Sequence, residues 1–419
     1  MIFSQSPAAF SAQRGEGREP FSEFQVERIV PQIQLDRLEL RELNLPLKFP
    51  FETSFGRTTN RRVLIVQAID QSGEVGYGEC VAMEGPFYSG ETIDTAWIII
   101  AKHIAPLLAS QDIRADQVYG MLSPIRGNQM AKGAVEAAIW DLEAKLFGLP
   151  LWKHLGGERT EIACGVSIGL QASTNELVET VARELDSGYQ RIKIKIKPGQ
   201  DVKLVQAVRA RYKDILLSVD ANAAYSLERD LAVMKELDRY NLLMIEQPLA
   251  AGDLVDHAKL QRQLNTPLCL DESIGSAANA LHALELGACR IINIKLGRVG
   301  GLSQAREIQN LAVQQRIPVW CGGMLETGIG RAHNIAVSSL PGFTLPGDVS
   351  ASRRYWEEDI IEPEVEVSSR GTIQVPTGPG LGYRVRSDRI EKLTVCSETI
   401  RIGHVAIPTN ARPSSSAIS

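Results

Sequence analysis

The sequence lacks the features that identify several large classes of protein. It contains no polybasic block, and its 419 residues carry a net charge of −5 with a pI of about 5.8, so neither nucleic acid nor an anionic membrane is expected as a partner. No apolar run approaches the ~20 residues of a membrane-spanning helix, and AWIIIA at 96–101 is typical of the longest runs.

Cysteine and histidine are also sparse, with six of each. No CxxC pair occurs among the cysteines, which predicts free thiols in a reducing cytoplasm. The histidines do not fall at the ends of predicted strands, and neither a Ser-His-Asp order nor a P-loop motif is found. Hydrolysis by a catalytic triad and phosphate binding by a P-loop are therefore not expected.

The two ends of the chain differ in composition from the rest. Residues 1–34 include the polar stretch SQSPAAFSAQRGEGREP, which lacks the apolar region of a signal peptide. Residues 406–419 include PTNARPSSSAIS, which is similarly rich in small and polar residues. We expect a disordered N-terminal extension and a flexible C-terminal tail, and neither is expected to belong to the fold.

A repeating unit begins near residue 160. Short apolar, β-prone runs end in a polar or glycine cluster, and an amphipathic helical stretch such as GLSQAREIQNLAVQQR follows. Strands that alternate with helices predict parallel β/α units, and eight runs predict an α/β fold with a TIM-like (β/α)8 barrel over 131–354. The barrel is expected to be modified, (β/α)7β-like, with its last helix shortened or replaced. The eight runs lie at 163–169, 192–196, 215–222, 242–248, 267–273, 290–297, 318–324 and 343–352.

One polar residue stands near the end of each of five successive runs. In parallel β/α units these positions share the edge of the barrel where active sites form. Three of the five are carboxylates on neighbouring strands, which would repel one another without a cation between them. Their hard oxygen atoms suit Mg²⁺, with Mn²⁺ as the alternative, and we predict that Asp220, Glu246 and Asp271 are metal ligands. The five residues, spaced by 25, 26, 25 and 24 positions, are Lys195, Asp220, Glu246, Asp271 and Lys295.

The strand RIKIKIK at 191–197 carries lysines on one face and isoleucines on the other. Alternating lysines commonly protect a solvated edge strand, but on a barrel strand they would point into the lumen. Lys195 would then lie near the mouth, with Lys193 two residues deeper and Lys295 four strands away across the ring. A second ammonium and a divalent cation disfavour the charged form of Lys195, which would allow it to act as a base.

These residues resemble the enolase superfamily, and within it the muconate-lactonizing-enzyme subgroup. The similarity rests on KIK at 193–195, on the three carboxylates and on the Lys295 strand, and it extends over 35–383. The resemblance implies an α+β capping domain, built from residues 35–130 and from a C-terminal return at 355–405. The loops expected to close over the substrate are FPFETSFG (49–56) and GECVAMEGPFYSGET (78–92).

Finer motifs resemble the o-succinylbenzoate synthase / N-succinylamino acid racemase family. This resemblance implies a carbon–oxygen lyase of menaquinone biosynthesis, which converts 2-succinyl-6-hydroxy-2,4-cyclohexadiene-1-carboxylate into 2-succinylbenzoate by α-proton abstraction and syn dehydration through an enediolate. N-acylamino acid racemase activity, alone or in the same protein, is the alternative. The motifs of this sequence match a muconate cycloisomerase-like enzyme, a dipeptide epimerase or a non-catalytic barrel less well. The motifs are VDANAAY (219–225), IEQPL (245–249), CLDESI (269–274), NIKLGRVGG (293–301), WCGGMLETGIGRA (320–332) and LPGDVSAS (345–352).

The resemblance also implies roles for individual residues. Lys195 is the expected base, Lys295 its counterpart on the opposite face of the substrate, and Lys193 the ammonium that favours the neutral form of Lys195. Asn222 and Glu272 are expected behind the metal ligands. A homo-oligomer is expected, with a small-molecule carboxylate as its substrate. The residues expected to line the substrate site are Ser167, Arg298, Gly323, Met324, Asp348 and Ser350.

Overall fold

The structure, a computed structural model, describes residues 32–53, 56–109 and 113–402 of the chain. Its strands are β1 (Leu35–Thr53), β2 (Gly56–Asp70), β3 (Val75–Cys80), β4 (Glu161–Ala163), β5 (Gly165–Ile168), β6 (Arg191–Lys195), β7 (Leu216–Asp220), β8 (Met244–Glu246), β9 (Leu268–Leu270), β10 (Ile291–Ile294), β11 (Val319–Cys321), β12 (Ile361–Glu362), β13 (Thr372–Gln374), β14 (Arg384–Val385) and β15 (Thr394–Arg401).

The described residues also form fourteen α-helices. The α-helices are α1 (Ile93–Ile99), α2 (Ala105–Leu107), α3 (Ala115–Met121), α4 (Gln129–Leu146), α5 (Leu151–Leu155), α6 (Thr174–Asp186), α7 (Val202–Arg211), α8 (Leu227–Leu237), α9 (Leu254–Gln261), α10 (Ala277–Leu286), α11 (Leu296–Val299), α12 (Leu302–Gln314), α13 (Gly328–Ser338) and α14 (Ser387–Leu393). A π-helical segment (Ile100–Ile104) joins α1 to α2, and short 3-10 segments lie at Asp238–Tyr240 and Ser352–Arg354.

A four-stranded antiparallel sheet in the order β15-β1-β2-β3 forms the capping part of the chain. Alternation along β1 sets its buried face, with Leu38 and Leu40 buried first and Leu43 and Leu45 further on. The change from even to odd positions coincides with a shift in the β1–β15 register after Glu42, which keeps both halves of the strand facing the core. Because β15 follows the barrel in the chain, the C-terminal segment returns to this sheet.

Helix α4 connects the capping sheet to the barrel and is buried along nearly its whole length. It packs so closely on β3 that a methyl group at Gly78 would lie 2.0 Å from the carbonyl oxygen of Ala134, which only glycine permits. On the sheet side, Asp141 accepts a 2.8 Å hydrogen bond from the amide of Tyr77. On the barrel side, Glu136 accepts hydrogen bonds from two backbone amides at the start of α12.

Seven parallel strands, in the order β5-β6-β7-β8-β9-β10-β11, form the barrel sheet. The predicted TIM-barrel-like fold with a capping domain is confirmed. The predicted eighth strand at 343–352 is wrong as a regular strand, because Pro346 has no amide hydrogen for a ladder. This segment instead closes the ring through isolated bridges, one from Phe343 to Val319 beside β11 and one from Gly347 to Cys164 beside β5.

Residues 1–31 and 403–419 lie outside the described residues, so most of the predicted extension and the whole tail at 406–419 cannot be compared. Ile33, within the predicted extension, is fully buried and forms a bridge with Ile113. In the part of the chain that is described, no helix is long and apolar enough to cross a membrane.

Candidate active site

Five polar side chains from neighbouring strands lie at the carboxyl edge of the barrel sheet. Lys195, Asp220 and Glu246 each end a strand and stand opposite one another in the parallel register. Asp271 and Lys295 directly follow β9 and β10. The three strands that carry the carboxylates therefore lie between the two strands that lead to the lysines.

Each outer carboxylate forms an ion pair with one of the lysines. Lys195 Nζ lies 2.6 Å from Asp220 Oδ2, and Lys295 Nζ lies 2.8 Å from Asp271 Oδ2. Burial opposes the ionisation of Asp271, but Lys295 and Arg298 outweigh it and hold the pKa of this carboxyl well below its usual range. The lysines thus neutralise the two ends of the carboxylate row.

The central carboxylate, Glu246, is fully buried and less well compensated. Burial and the charge of Asp220 raise the pKa of Glu246 to about 8. Its Oε1 accepts a 2.8 Å hydrogen bond from Asn293 Nδ2, whereas Oε2 accepts no hydrogen bond from the described residues, although Lys193 Nζ lies 3.0 Å away. The middle of the row therefore carries a carboxyl group whose ionised form a further cation would stabilise.

The donor set fits a hard divalent cation. As they stand, no three His, Cys, Asp or Glu side chains among the described residues are arranged to hold a metal ion. Lysine ammonium groups bind Asp220 and Asp271 in this arrangement, so the two carboxylates face Lys195 and Lys295. Three buried carboxylates on adjacent strands, one with an oxygen that accepts no hydrogen bond, nevertheless supply the ligands that Mg²⁺ and Mn²⁺ prefer.

Asn222 and Glu272 lie next to this row and link its members. Asn222 Oδ1 accepts a 2.7 Å hydrogen bond from Lys195 Nζ, and its Nδ2 donates a 3.0 Å hydrogen bond to Glu272 Oε1. The backbone amide of Asn222 also donates to Asp220 Oδ1 at 3.0 Å. Burial and the charge of Asp271 raise the pKa of Glu272 to about 7. Asn222 therefore contacts the row directly, and Glu272 is connected to the row through Asn222.

Lys193 lies deeper in the lumen, where it contacts charged residues that the sequence analysis did not place beside it. Its Nζ is 2.7 Å from Asp348 Oδ2 and 4.8 Å from the centre of the Trp320 ring. Arg191, one alternation further down β6, pairs with the same carboxylate and stacks on the same ring at 4.4 Å. Burial opposes the charge of Lys193, but Asp348, Glu246 and other carboxylates outweigh it and raise the pKa of Lys193.

A cavity of about 640 Å³ opens above the row. Lys193, Lys195, Lys295 and Asn222 line its floor. Five of the six residues expected at the substrate site also line this cavity, and they are Ser167, Gly323, Met324, Asp348 and Ser350. The hydroxyl oxygens of the two serines are buried and have no hydrogen-bond partner within the described chain, so both are available to a ligand.

Arg298 does not line the cavity, in contrast to the predicted substrate contact. It is buried behind Asp271, where its Nη1 donates to the carboxylate and its Nε donates to the carbonyl oxygen of Ile274 at 2.8 Å. The arginine side chain extends from α11 back toward β9, a direction that its position three residues after Lys295 did not reveal. Its visible effect is to fix the Asp271 carboxylate.

The two predicted lid loops reach the cavity from the capping sheet. Phe51 comes from the loop at 49–56, of which residues 54 and 55 lie outside the described chain. Tyr88 comes from the loop at 78–92, and its hydroxyl lies 3.1 Å from both Asp271 Oδ1 and Lys295 Nζ. The capping part therefore contributes a side chain directly to the row of charges.

Sequence reasoning missed Tyr88, Asn293 and Trp320 as functional-site residues. Asn293 precedes Lys295 by two positions, so strand alternation puts both side chains on the inward face and could have identified it. Trp320 lies in a quoted motif on β11, but its contacts with Arg191 and Lys193 depend on the closed ring. For Tyr88, only the loop that carries it was identified.

A parallel barrel with lysines and carboxylates at its strand ends, beneath a capping sheet, is the arrangement of enzymes that abstract a proton beside a carboxylate. Two family models match this chain. The model described as "Mandelate racemase / muconate lactonizing enzyme, N-terminal domain" matches residues 37–156, and the one described as "Enolase C-terminal domain-like" matches residues 176–389. The chain belongs to the enolase superfamily and is an enzyme of that superfamily.

Individual relatives narrow this similarity. An o-succinylbenzoate synthase from Geobacillus kaustophilus is 50% identical over 363 residues, which cover 86% of this chain and 96% of that protein. An N-succinylamino acid racemase from Amycolatopsis sp is 48% identical over 364 residues, 86% of this chain and 98% of that protein. A crystal structure of an enolase-superfamily member from Listeria innocua has a TM-score of 0.86 and 43% identity, and covers 88% of this chain and 100% of that one. The predicted family, which unites these two activities, is confirmed.

Proposed function

We propose that this enzyme is an o-succinylbenzoate synthase, a carbon–oxygen lyase, with N-succinylamino acid racemase activity as the second candidate. The observation that carries the proposal is the pair of lysines, Lys195 and Lys295, on opposite sides of one row of carboxylates in one cavity. Relatives named for each activity cover 86% of this chain at 50% and 48% identity. Both reactions begin with the same step, removal of a proton from a carbon beside a carboxylate.

The dehydration breaks two bonds of 2-succinyl-6-hydroxy-2,4-cyclohexadiene-1-carboxylate. Lys195 Nζ takes the proton from the carbon that bears the carboxylate, and the ring carbon at position 6 then loses its hydroxyl group. The proton on Lys195 is returned to that hydroxyl on the same face, so water leaves and the ring becomes aromatic. Lys295 stays protonated on the other face, where its charge stabilises the enolate.

Asp220, Glu246 and Asp271 would hold one Mg²⁺, or Mn²⁺ in its place. When bound, the cation supplies positive charge to the substrate carboxylate as negative charge develops there. Asn222 and Glu272 hold the neighbouring groups in position through the hydrogen bonds described above. Lys193, paired with Asp348 and Glu246, places a positive charge beneath Lys195.

The racemase alternative uses the same groups in a different order. Lys195 and Lys295 would act as base and acid on opposite faces of the α-carbon, so each enantiomer is deprotonated by a different lysine. A cytoplasmic location, supported by the six free cysteines of the chain, belongs to the proposal for either activity. Assembly into a homo-oligomer stays a prediction.

The direct test is turnover of both substrates by one purified sample with Mg²⁺. Formation of 2-succinylbenzoate, followed by its absorbance, supports the lyase, and loss of optical rotation from one enantiomer of an N-succinylamino acid supports the racemase. We expect Lys195→Ala to abolish both reactions because both need this base. Failure of the wild-type protein to convert either compound would refute the proposal.

Lys295→Arg separates the two chemistries. Arginine keeps the positive charge but holds its proton far more tightly, so racemisation should fall by more than about 100-fold, the loss typical of a missing acid–base group. Dehydration should remain measurable because it takes no proton from that face. In D₂O, the Lys295→Arg variant should still exchange the α-proton of one enantiomer of the N-succinylamino acid through Lys195, without inversion. Equal loss of exchange for both enantiomers would show that the two faces are wrongly assigned.

A further inference from the structure

Seven positively charged side chains line the reaction cavity, and six of them already have acceptors within the described chain. Lys195 and Lys295 bind the carboxylate row, and Lys193 binds Asp348. The remaining three donate hydrogen bonds to carboxylate or carbonyl oxygens, and they are Arg61, Arg62 and Arg331. These six cations are therefore partly or fully compensated before any substrate enters.

Arg57 is the exception. In the described part of the chain its side chain makes no ion pair and no hydrogen bond, and it is exposed at the start of β2 on the capping side of the cavity. Glu42, an acid on the same wall, is held by Arg62 at 2.7 Å and 2.9 Å and so does not compensate Arg57. An uncompensated guanidinium thus faces the cavity from the side opposite the row.

Arg57 also lies at the boundary between two cavities. A neighbouring cavity of about 900 Å³ shares three lining residues with the reaction cavity, namely Phe51, Arg57 and Tyr355. The rings of Phe51 and Tyr355 meet edge to face, with centroids 6.5 Å apart and an interplanar angle of 81°. This aromatic pair bounds the reaction cavity beside Arg57, so a charged group that reaches the boundary has the guanidinium as its available partner.

The substrates of the proposed function carry two carboxylates. One is bonded to the reacting carbon and belongs at the row, while the other ends the succinyl group, several bonds away. A second carboxylate that loses part of its hydration in the cavity is costly to leave unpaired, and arginine matches its planar geometry with two parallel hydrogen bonds. We propose that Arg57 binds the terminal carboxylate of the succinyl group and so sets the selectivity of this enzyme for dicarboxylates. This inference rests on the proposed function, since it takes the succinyl group from it.

The test measures binding, which does not depend on turnover. With Mg²⁺ in the buffer, calorimetric titration compares 2-succinylbenzoate with its terminal amide, which has the same shape but lacks the second charge. Arg57→Gln should weaken binding of 2-succinylbenzoate about tenfold, the lower end for loss of a charge-assisted hydrogen bond because the site is partly exposed. Binding of the amide should not change, and Arg57→Lys should recover most of the lost affinity.

Arg353→Gln is the matched control. Arg353 is an exposed arginine that lines the neighbouring cavity but not the reaction cavity, so its loss should leave both affinities unchanged. Equal weakening by Arg57→Gln and Arg353→Gln would reveal a long-range field effect and overturn the assignment. Equal effects of Arg57→Gln on acid and amide, or no effect, would also overturn it. A wild-type enzyme that turns over its substrate but is insensitive to Arg57 refutes this inference alone, whereas a wild type that neither binds nor converts succinyl compounds refutes the proposed function as well.

Discussion

The Asp348→Asn substitution distinguishes two roles for Asp348, a contact with the substrate and an ion-pair partner of the cations inside the barrel. The Asp348 carboxylate lines the cavity, yet it also pairs with the fully buried Arg191 and lies 2.7 Å from Lys193 Nζ. Its own side chain is only 10% exposed. If its main partners are these two cations, the substitution should reduce the stability of the whole fold.

The expected loss of stability depends on the interactions that Arg191 and Lys193 retain without the Asp348 carboxylate. Removing one partner of a buried ion pair typically costs about 3–5 kcal/mol, because the other charge is left uncompensated. Arg191 would retain a 2.9 Å hydrogen bond to the Pro346 carbonyl oxygen and its stacking on Trp320. Lys193 would retain Glu246 at 3.0 Å. We therefore expect a loss near the lower limit, about 3 kcal/mol of the free energy of unfolding.

Urea denaturation at several pH values measures this loss. Burial alone would raise the pKa of Asp348, but Arg191 and Lys193 outweigh it and hold the pKa of this carboxyl well below its usual range. The stability contributed by the folded-state charge is therefore complete above the pKa of an unfolded aspartate, about 4, and disappears as the pH falls below that value. The wild-type and Asp348→Asn unfolding midpoints should converge in acid.

Asp256→Asn provides the control for this experiment. Asp256 forms an exposed ion pair with Lys259 at 2.7 Å, and such a pair contributes little to stability because solvent screens it. Its removal should leave the unfolding midpoint nearly unchanged. Unaltered stability of Asp348→Asn together with a raised KM would refute the interior role and restore the predicted substrate contact.

Two further predictions concern the row of carboxylates. Dialysis against EDTA should abolish activity and Mg²⁺ should restore it, and full turnover in excess EDTA would exclude the metal. Asp271→Asn should lower metal affinity by more than about 100-fold, because loss of a group that only supports a ligand already costs up to about that much. Gly322→Ala should lower kcat about tenfold or more without unfolding the protein, because the added methyl group would lie 2.8 Å from Lys295 Cε and 2.3 Å from Asn293 Oδ1. Gly252→Ala, where the methyl group meets nothing within 4 Å, is the matched variant and should have wild-type kcat.

The sequence predicted the site correctly where a single rule converts position along the chain into position in the fold. Successive β/α units bring the carboxyl ends of their strands to one edge, so equal spacing along the chain becomes proximity in the fold. Lys195, Asp220 and Glu246 stand opposite one another in the parallel register for this reason. The same rule carries Asp271 and Lys295 to this edge, although each directly follows its strand.

The remaining contacts depend on information that no local pattern contains. Tyr88 reaches Asp271 across 183 residues of sequence, and only the docking of the capping sheet decides that distance. Arg298 has a long, flexible side chain, so its position on α11 does not determine whether it points to the cavity or to Asp271. Asp348 lies in the irregular segment that closes the ring, where strand alternation no longer predicts the inward face.

The lysine strand explains why charge is retained so deep in the barrel. Arg191, Lys193 and Lys195 are inward neighbours spaced about 6.6 Å apart along β6, and each meets a different set of acceptors. The first pairs with Asp348, the second with Asp348 and Glu246, and the third with Asp220 and the amide oxygen of Asn222. Lys193 and Lys195 both line the cavity and both contact a proposed metal ligand, but among the described residues only Lys193 also pairs with a carboxylate outside that ligand set, Asp348. A cation held by Asp220 would therefore be in competition with Lys195, which has no other carboxylate partner there. The two deeper cations keep their carboxylate partner, Asp348, whether or not that competition occurs, and the strand therefore fixes two charges in order to free the third.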